Sequence, residues 1–297
     1  MPESISRREF IRTGGAGLLL GATGAFALEA RPSERKSRNI KKAIMYATIG
    51  YRGSVLEQLR AVRAAGFEGV EPMSHMNRDE VLKALDETGL KAASVCCATH
   101  WDKRLSDPDE EVRRQGLEGL KHALKDAKVY GASSVLLVPG KVIKGRVTYR
   151  DCFQRSVAEI RKAVPVAEEL GVKIAVENVW NDFITEPQQA VEFLDAIDSK
   201  YVGWHFDIGN CIKFSPAETW IPVIGKRILK LHIKEYSQFK RFNVRLLEGD
   251  DHWPAIMHAL DEIGYEGWGI SEQPDTQTRT EVGLKDLSER MGRIFAT

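Results

Sequence analysis

RILKLHIKEY, residues 227–236, is the stretch on which the reading of this chain turns. Successive side chains on a strand point to opposite faces, so Leu229, Leu231 and Ile233 share one face while Lys230, His232 and Lys234 share the other. The apolar face must be buried, and a face with three ionisable groups must meet water, a partner or a ligand. The parity repeats upstream. In VKIAVE (172–177), Val172, Ile174 and Val176 oppose Lys173, Ala175 and Glu177, and in YVGWHFD (201–207), Val202, Trp204 and Phe206 oppose Tyr201, Gly203, His205 and Asp207.

Working outward, strand-like runs recur at 42–48, 68–72, 91–98, 133–138, 172–177, 201–207, 227–233 and 267–272, with helical patterns between them. The clearest helix is 109–130, where Leu117, Leu120, Leu124 and Ala127 recur at steps of three and four behind Asp107 and Pro108, expected as cap and first-turn residues, and Gly131 closes it. Pro165 is expected to kink or divide the helix at 151–170. Eight strand–helix pairs in the chain from residue 40 predict a single-domain (β/α)8 TIM barrel over 40–297. A doubly wound open sheet is the competing architecture, but its first strand would carry a glycine-rich phosphate turn that this chain lacks.

The 297 residues carry 43 basic and 42 acidic side chains, a net charge of +1, which gives no field to attract nucleic acid or an anionic membrane. Residues 1–30 are of another kind. Arg7 and Arg8 in SRREFIR precede the glycine-rich apolar run GGAGLLLGATGAFAL (14–28) and a small-residue AFA site, the order of a twin-arginine export signal. That run is too short and too rich in glycine for a spanning helix, which needs about 20 mostly apolar residues, so no stable membrane anchor is expected. RPSERKSRN (31–39) reads as a polar linker. Periplasmic or exported localisation through the twin-arginine machinery follows, and that route carries folded, metal-loaded protein. Cys96, Cys97, Cys152 and Cys211 have no framework or zinc spacing and read as buried thiols.

If the apolar faces pack on outer helices, Glu177, Asp207 and His232 point into the barrel at the carboxyl ends of strands five to seven, where barrel enzymes collect their chemistry. Glu272 closes strand eight, although its parity mates Trp268 and Ile270 are apolar. Three carboxylates converging in a barrel mouth repel one another unless a cation sits among them. Three oxygen ligands and one nitrogen suit one divalent ion, Mn, Co or Mg first, with Zn compatible.

AVENVWNDF (175–183), WHFDIGNC (204–211), KRILKLHIKEY (226–236) and GYEGWGISEQP (264–274) resemble the metal-binding strands of the xylose-isomerase-like sugar isomerases and epimerases, and the likeness runs from about residue 40 to the end. The resemblance implies that Glu177, Asp207, His232 and Glu272 hold one divalent ion, with Glu177 and Glu272 also the acid/base pair. It implies a ketose or keto-sugar substrate, deprotonated beside its carbonyl through an enediolate and reprotonated. The ketohexose 3-epimerases of this family carry a histidine three residues after the ligand Asp and an arginine six after the ligand His; Asn210 and Gln238 stand there instead.

Glu71 after strand two, His100 after strand three, Asn210 and Lys234 are candidate substrate contacts, with Asn210 alternatively a capping residue and Lys234 alternatively a partner of the site's carboxylates. Trp101 and Trp180 are candidate stacking surfaces, His205 reads as a core group beneath Asp207, and Lys141, Lys144 and Arg146 read as a phosphate grip or a solvated loop. A lyase or dehydratase acting on a keto-sugar or 3-keto-glycoside would use the same metal site, and a sugar-binding barrel without turnover is the reading outside enzymes. Homo-oligomerisation is left open.

Overall fold

The parity read from the strands and the glycine stop read at Gly131 both have a direct counterpart in the computed structural model, which describes residues 38–297. The arginine pair, the apolar run and the cleavage site fall outside the described residues. The order is β1 (Ile40–Met45), α1 (Val55–Ala64), β2 (Gly69–Glu71), α2 (Arg78–Thr88), β3 (Lys91–Ala92), β4 (Val95–Cys96), α3 (Glu110–Tyr130), β5 (Ser134–Leu137), α4 (Tyr149–Leu170), β6 (Lys173–Glu177), α5 (Pro187–Ile197), β7 (Val202–Asp207), α6 (Ile208–Cys211), α7 (Ala217–Ile224), β8 (Ile228–Ile233), α8 (Trp253–Glu262), β9 (Gly267–Ser271) and α9 (Glu281–Phe295).

The sheet runs β3-β2-β1-β9-β8-β7-β6-β5-β4 with every ladder parallel. The single strand expected at 91–98 is split: β3 pairs with β2 and β4 with β5. Between the halves, Ser94 turns its hydroxyl onto the Ser134 carbonyl at 3.2 Å. Ala93 still donates to Val70 O and Cys96 to Pro72 O, both at 2.9 Å, so the two halves join the edges into a closed TIM barrel.

Helix starts follow local chemistry. Ser54 and Glu57 form a capping box for α1, Thr148 and Asp151 one for α4, and Asn77 caps α2. The cap of α3 is Asp109 rather than Asp107, because Asp107 accepts the Asp109 N–H at 3.0 Å and Asp109 is left to accept from Glu111. Gly89, Gly131 and Gly171 end α2, α3 and α4 at φ of 69°, 74° and 67°, the left-handed stop that glycine reaches without strain. α4 continues undivided through Pro165. Proline removes one N–H from the ladder, and the buried Ile160, Ala163 and Ala167 on either side hold the helix on the barrel.

Two apolar layers separate inside from outside. The large one, with Trp204, Phe206, Phe193 and Trp220, lies between strands and helices; a small one of Ala43, Ala93 and Ile270 fills the barrel interior. Ile270 therefore faces inward, and Glu272, two residues on, shares its direction. Arg38 and Asn39, at the end of the segment read as a linker, already touch the barrel: Arg38 pairs with Asp261 at 2.8 Å and donates to the Phe295 carbonyl at 2.9 Å. All four cysteines are free and buried. Among the described residues, no helix is long and apolar enough to cross a membrane.

Candidate metal centre

Parallel pairing sets the height of each functional group. Glu177 on β6 pairs with His205, Asp207 on β7 with His232, and His232 on β8 with Ile270. Glu177 thus stands one layer below Asp207, and Glu272, just past β9, one layer above His232. This stagger is the shear of a closed barrel, and side-chain length closes the difference. The register shifts between Trp204, paired with Ile228, and His205, paired with Lys230, so that β8 carries one extra residue, Leu229, at this point.

The turn after β7 is unusually close to β8. A Cβ on Gly209 would lie 2.7 Å from the Lys234 carbonyl, so WHFDIGN needs glycine there to bring Asp207 beside the end of β8. Asp207 divides its carboxylate between two tasks. Oδ1 caps α6 by accepting the Asn210 N–H at 2.8 Å, and Oδ2 faces the site.

The four expected ligands come together. Donor atoms of Glu177, Asp207, His232 and Glu272 all lie within 4.8 Å of one another. His232 Nδ1 is 2.9 Å from Glu177 Oε1, 3.3 Å from Glu272 Oε2 and 3.8 Å from Asp207 Oδ2. Glu177, Asp207 and His232 are buried, and Glu272 is partly exposed toward the mouth. Lys234 Nζ adds a cation, 2.8 Å from Glu272 Oε2 and 3.5 Å from Asp207 Oδ2.

The electrostatics describe a site short of positive charge. Burial pushes the carboxyls of Glu177 and Asp207 up. Burial also works against the charges of His232 and Lys234, but the carboxylates outweigh it, Glu272 and Glu177 for His232 and Asp207 and Glu272 for Lys234, and both are held above their ordinary ranges. Glu272 goes the other way: burial would raise it, but Lys234 and His232 hold it well below the usual carboxylate range. To ligate a metal, His232 must be neutral and the three carboxyls ionised, and in that state three carboxylates against Lys234 would leave two negative charges uncompensated. One divalent cation neutralises that, and the donor set, three oxygens and an imidazole nitrogen, fits it.

The four candidate substrate contacts occupy different places. Glu71 is fully buried beneath the cluster, where Oε2 accepts from His232 Nε2 at 3.1 Å, so it faces the back of the histidine and away from the mouth. This leaves Nδ1 for the carboxylate side. His100 is buried, and its Nδ1 accepts the Val138 N–H at 3.2 Å. Burial pushes its pKa down to about 3, so the ring is neutral and carries its proton on Nε2 as a donor. The Asn210 amide is committed to the Asn178 carbonyl at 3.1 Å and to Lys234 at 3.5 Å. Lys234 pairs with the site's carboxylates. His205 lies under the site, its ring 4.2 Å from that of His232, with neither nitrogen hydrogen-bonded and Nδ1 3.9 Å from Glu71 Oε1. Lys141 and Lys144 are exposed and solvated, and Arg146 reaches Asp107 at 4.0 Å.

Trp180 donates to the Asn210 carbonyl at 2.9 Å and packs on Tyr236 and Phe242, forming one aromatic wall of the mouth. Phe242 covers Lys234, whose ammonium is 4.6 Å from the ring centre. Trp101 stands half exposed beside His100.

Asn178 escaped sequence reasoning. Its Oδ1 accepts from the Asp207 N–H at 3.1 Å and Trp204 Nε1 at 3.0 Å, and its Nδ2 donates to the Asp207 carbonyl at 2.8 Å. One buried amide thus clamps the end of β7 to the end of β6. The only local signal was an asparagine directly after a strand-terminal glutamate.

A model of the xylose isomerase-like TIM barrel family matches residues 59–291. The L-ribulose-5-phosphate 3-epimerase UlaE of Escherichia coli is 25% identical over 227 residues, 71% of this chain and 79% of its own length. Among solved structures, the apo 3-keto-D-glucoside 4-epimerase YcjR of E. coli is 18% identical with a TM-score of 0.73, over 86% of this chain and 98% of that one. The IOLI protein, solved with a bound zinc atom, is 18% identical with a TM-score of 0.75 over the same shares.

Proposed function

Since this chain belongs to the xylose isomerase-like TIM barrel family, we propose that it is a divalent-metal-dependent sugar epimerase or isomerase acting on a ketose or keto-sugar. The observation that carries the reading is the cluster of Glu177, Asp207, His232 and Glu272 around one point in the barrel mouth. A divalent ion held by these four would polarise the carbonyl and neighbouring hydroxyl oxygens of the substrate and acidify the C–H beside them.

The chain's own groups supply the rest. Glu177 and Glu272 both reach that point from different strands, and they remove a proton from the activated carbon and return one. Lys234 keeps positive charge beside Glu272 where negative charge develops in the reaction. His100 offers its Nε2–H to a substrate oxygen. Trp180 and Phe242 screen the site from water and give a sugar ring a flat apolar surface. On the sequence reading of residues 1–30, the enzyme is exported by the twin-arginine route and meets unphosphorylated sugars.

The deciding experiment is incubation of metal-loaded protein with ketoses, ketose phosphates and 3-keto-glycosides in deuterated water. Solvent deuterium at the carbon beside the carbonyl, with accumulation of an epimer or isomer, is the expected result. A panel that shows neither exchange nor product on any member overturns the proposal.

A further inference from the structure

At the end of the barrel opposite the carboxylate cluster, where β5 to β8 begin, lies a cavity of about 550 Å³ lined by Ser133, Ser134, Lys173, Lys200, Tyr201 and Lys230. Lys230 is only 6% exposed, and its ammonium donates to the neutral Ser133 hydroxyl at 2.9 Å. Among the described residues, no carboxylate comes within ion-pair distance of Lys230, Lys173 or Lys200. Lys173 stands near enough to repel Lys230, and the Lys200 ammonium sits over the Tyr201 ring at 5.7 Å. Glu71 attracts Lys230 from higher in the barrel more than Lys173 repels it, but it lies beyond ion-pair distance and gives one of its oxygens to His232. A buried ammonium without an ionic partner is costly, and a second cation beside it adds to the cost unless an anion joins them.

We propose that this cavity binds a phosphoryl-type oxyanion, as inorganic phosphate or as the phosphoryl end of a small metabolite. The lysines supply charge and N–H donors, and Ser133 and Ser134 supply hydroxyls for the remaining oxygens. The volume falls within the roughly 300–1,000 Å³ of small-molecule sites and leaves room for a sugar-sized body behind the phosphoryl group. Because the cavity lies at the amino-terminal end of the strands, its ligand does not compete with a substrate in the mouth.

The test is calorimetric titration of the metal-loaded full chain with inorganic phosphate, glucose 6-phosphate and glucose. Saturable binding of phosphate and none of glucose is expected, unchanged after the catalytic ion is chelated. Glucose 6-phosphate binding more tightly than phosphate identifies a phosphorylated metabolite as the ligand; equal affinity identifies the free oxyanion. Lys230→Met should weaken binding by at least about tenfold, the usual worth of one charged hydrogen bond. Should that variant fail to fold, the exposed pair Lys173→Ala with Lys200→Ala carries the same expectation. Absence of saturation, affinity that survives removal of the lysines, or binding that disappears on chelation would overturn the site.

Discussion

His232 Nε2 lies 3.1 Å from Glu71 Oε2, a buried hydrogen bond between β8 and β2 across 161 residues of sequence. The other Glu71 oxygen makes no hydrogen bond and faces His205 Nδ1 at 3.9 Å, and neither nitrogen of His205 is hydrogen-bonded. The contact fixes the imidazole plane and the nitrogen that faces Glu177 and Glu272.

Glu71→Gln keeps the size of the side chain and removes its charge. Divalent-ion affinity, measured by competition with a coloured chelator, should fall about 10- to 100-fold with the fold intact, the range seen when the group behind a ligating histidine is altered. Unchanged affinity would show that Nδ1 is oriented by packing alone.

His232→Ala removes the nitrogen to which all three carboxylates turn. Elemental analysis should find the protein metal-poor, and chelation should no longer lower its thermal midpoint, whereas it lowers that of the parent. Full metal occupancy in this variant would sink the proposed centre.

Glu177→Gln and Glu272→Gln each retain an oxygen ligand and lose a base. In samples shown to be metal-loaded, turnover should drop about 10²- to 10⁴-fold. One of the two should still wash solvent deuterium slowly into the substrate while giving no epimer. Parent-like rates in both would mean that another base moves the proton.

Half-buried Asp251 and buried Glu235 form a carboxyl pair under the loop that follows β8; burial and then the Glu235 charge raise Asp251 to about 8. An acid whose folded pKa lies above its unfolded value of about 3.9 stabilises most at low pH, and that stability is lost as pH rises through 8. Asp251→Asn keeps an acceptor for the Tyr236 N–H and supplies N–H groups toward Glu235. Between pH 5 and 9 the variant should therefore lose less stability than the parent, by on the order of 2 kcal/mol or roughly 4–8 °C. Parallel melting curves across that interval would refute a shared proton.

For export, Arg7→Lys with Arg8→Lys should leave precursor inside the cell with its first residues attached, read by fractionation and intact mass. Normal export of the double variant would remove the argument for unphosphorylated substrates.

Local sequence was enough for much of this molecule. Strand parity needs only neighbouring residues, so it placed Glu177, Asp207 and His232 on one face without knowledge of any partner strand. The glycine stop after α3 and the rhythm of eight strand–helix pairs likewise depend on nearby residues, and the rhythm led to the barrel. What parity cannot supply is height and company. The shear of the closed ring set Glu177 one layer below Asp207, and the inward Ile270 decided that Glu272 joins them. Glu71 looked like a residue at a strand end facing substrate. Only the curvature that carries β2 round to β8 made it the acceptor behind His232. The same closure brought Asn178 onto Asp207 and left Lys230 in a basic cavity at the far end. Such contacts join residues tens to hundreds of positions apart, and no pattern along the chain encodes which of many compatible partners the closed barrel will supply.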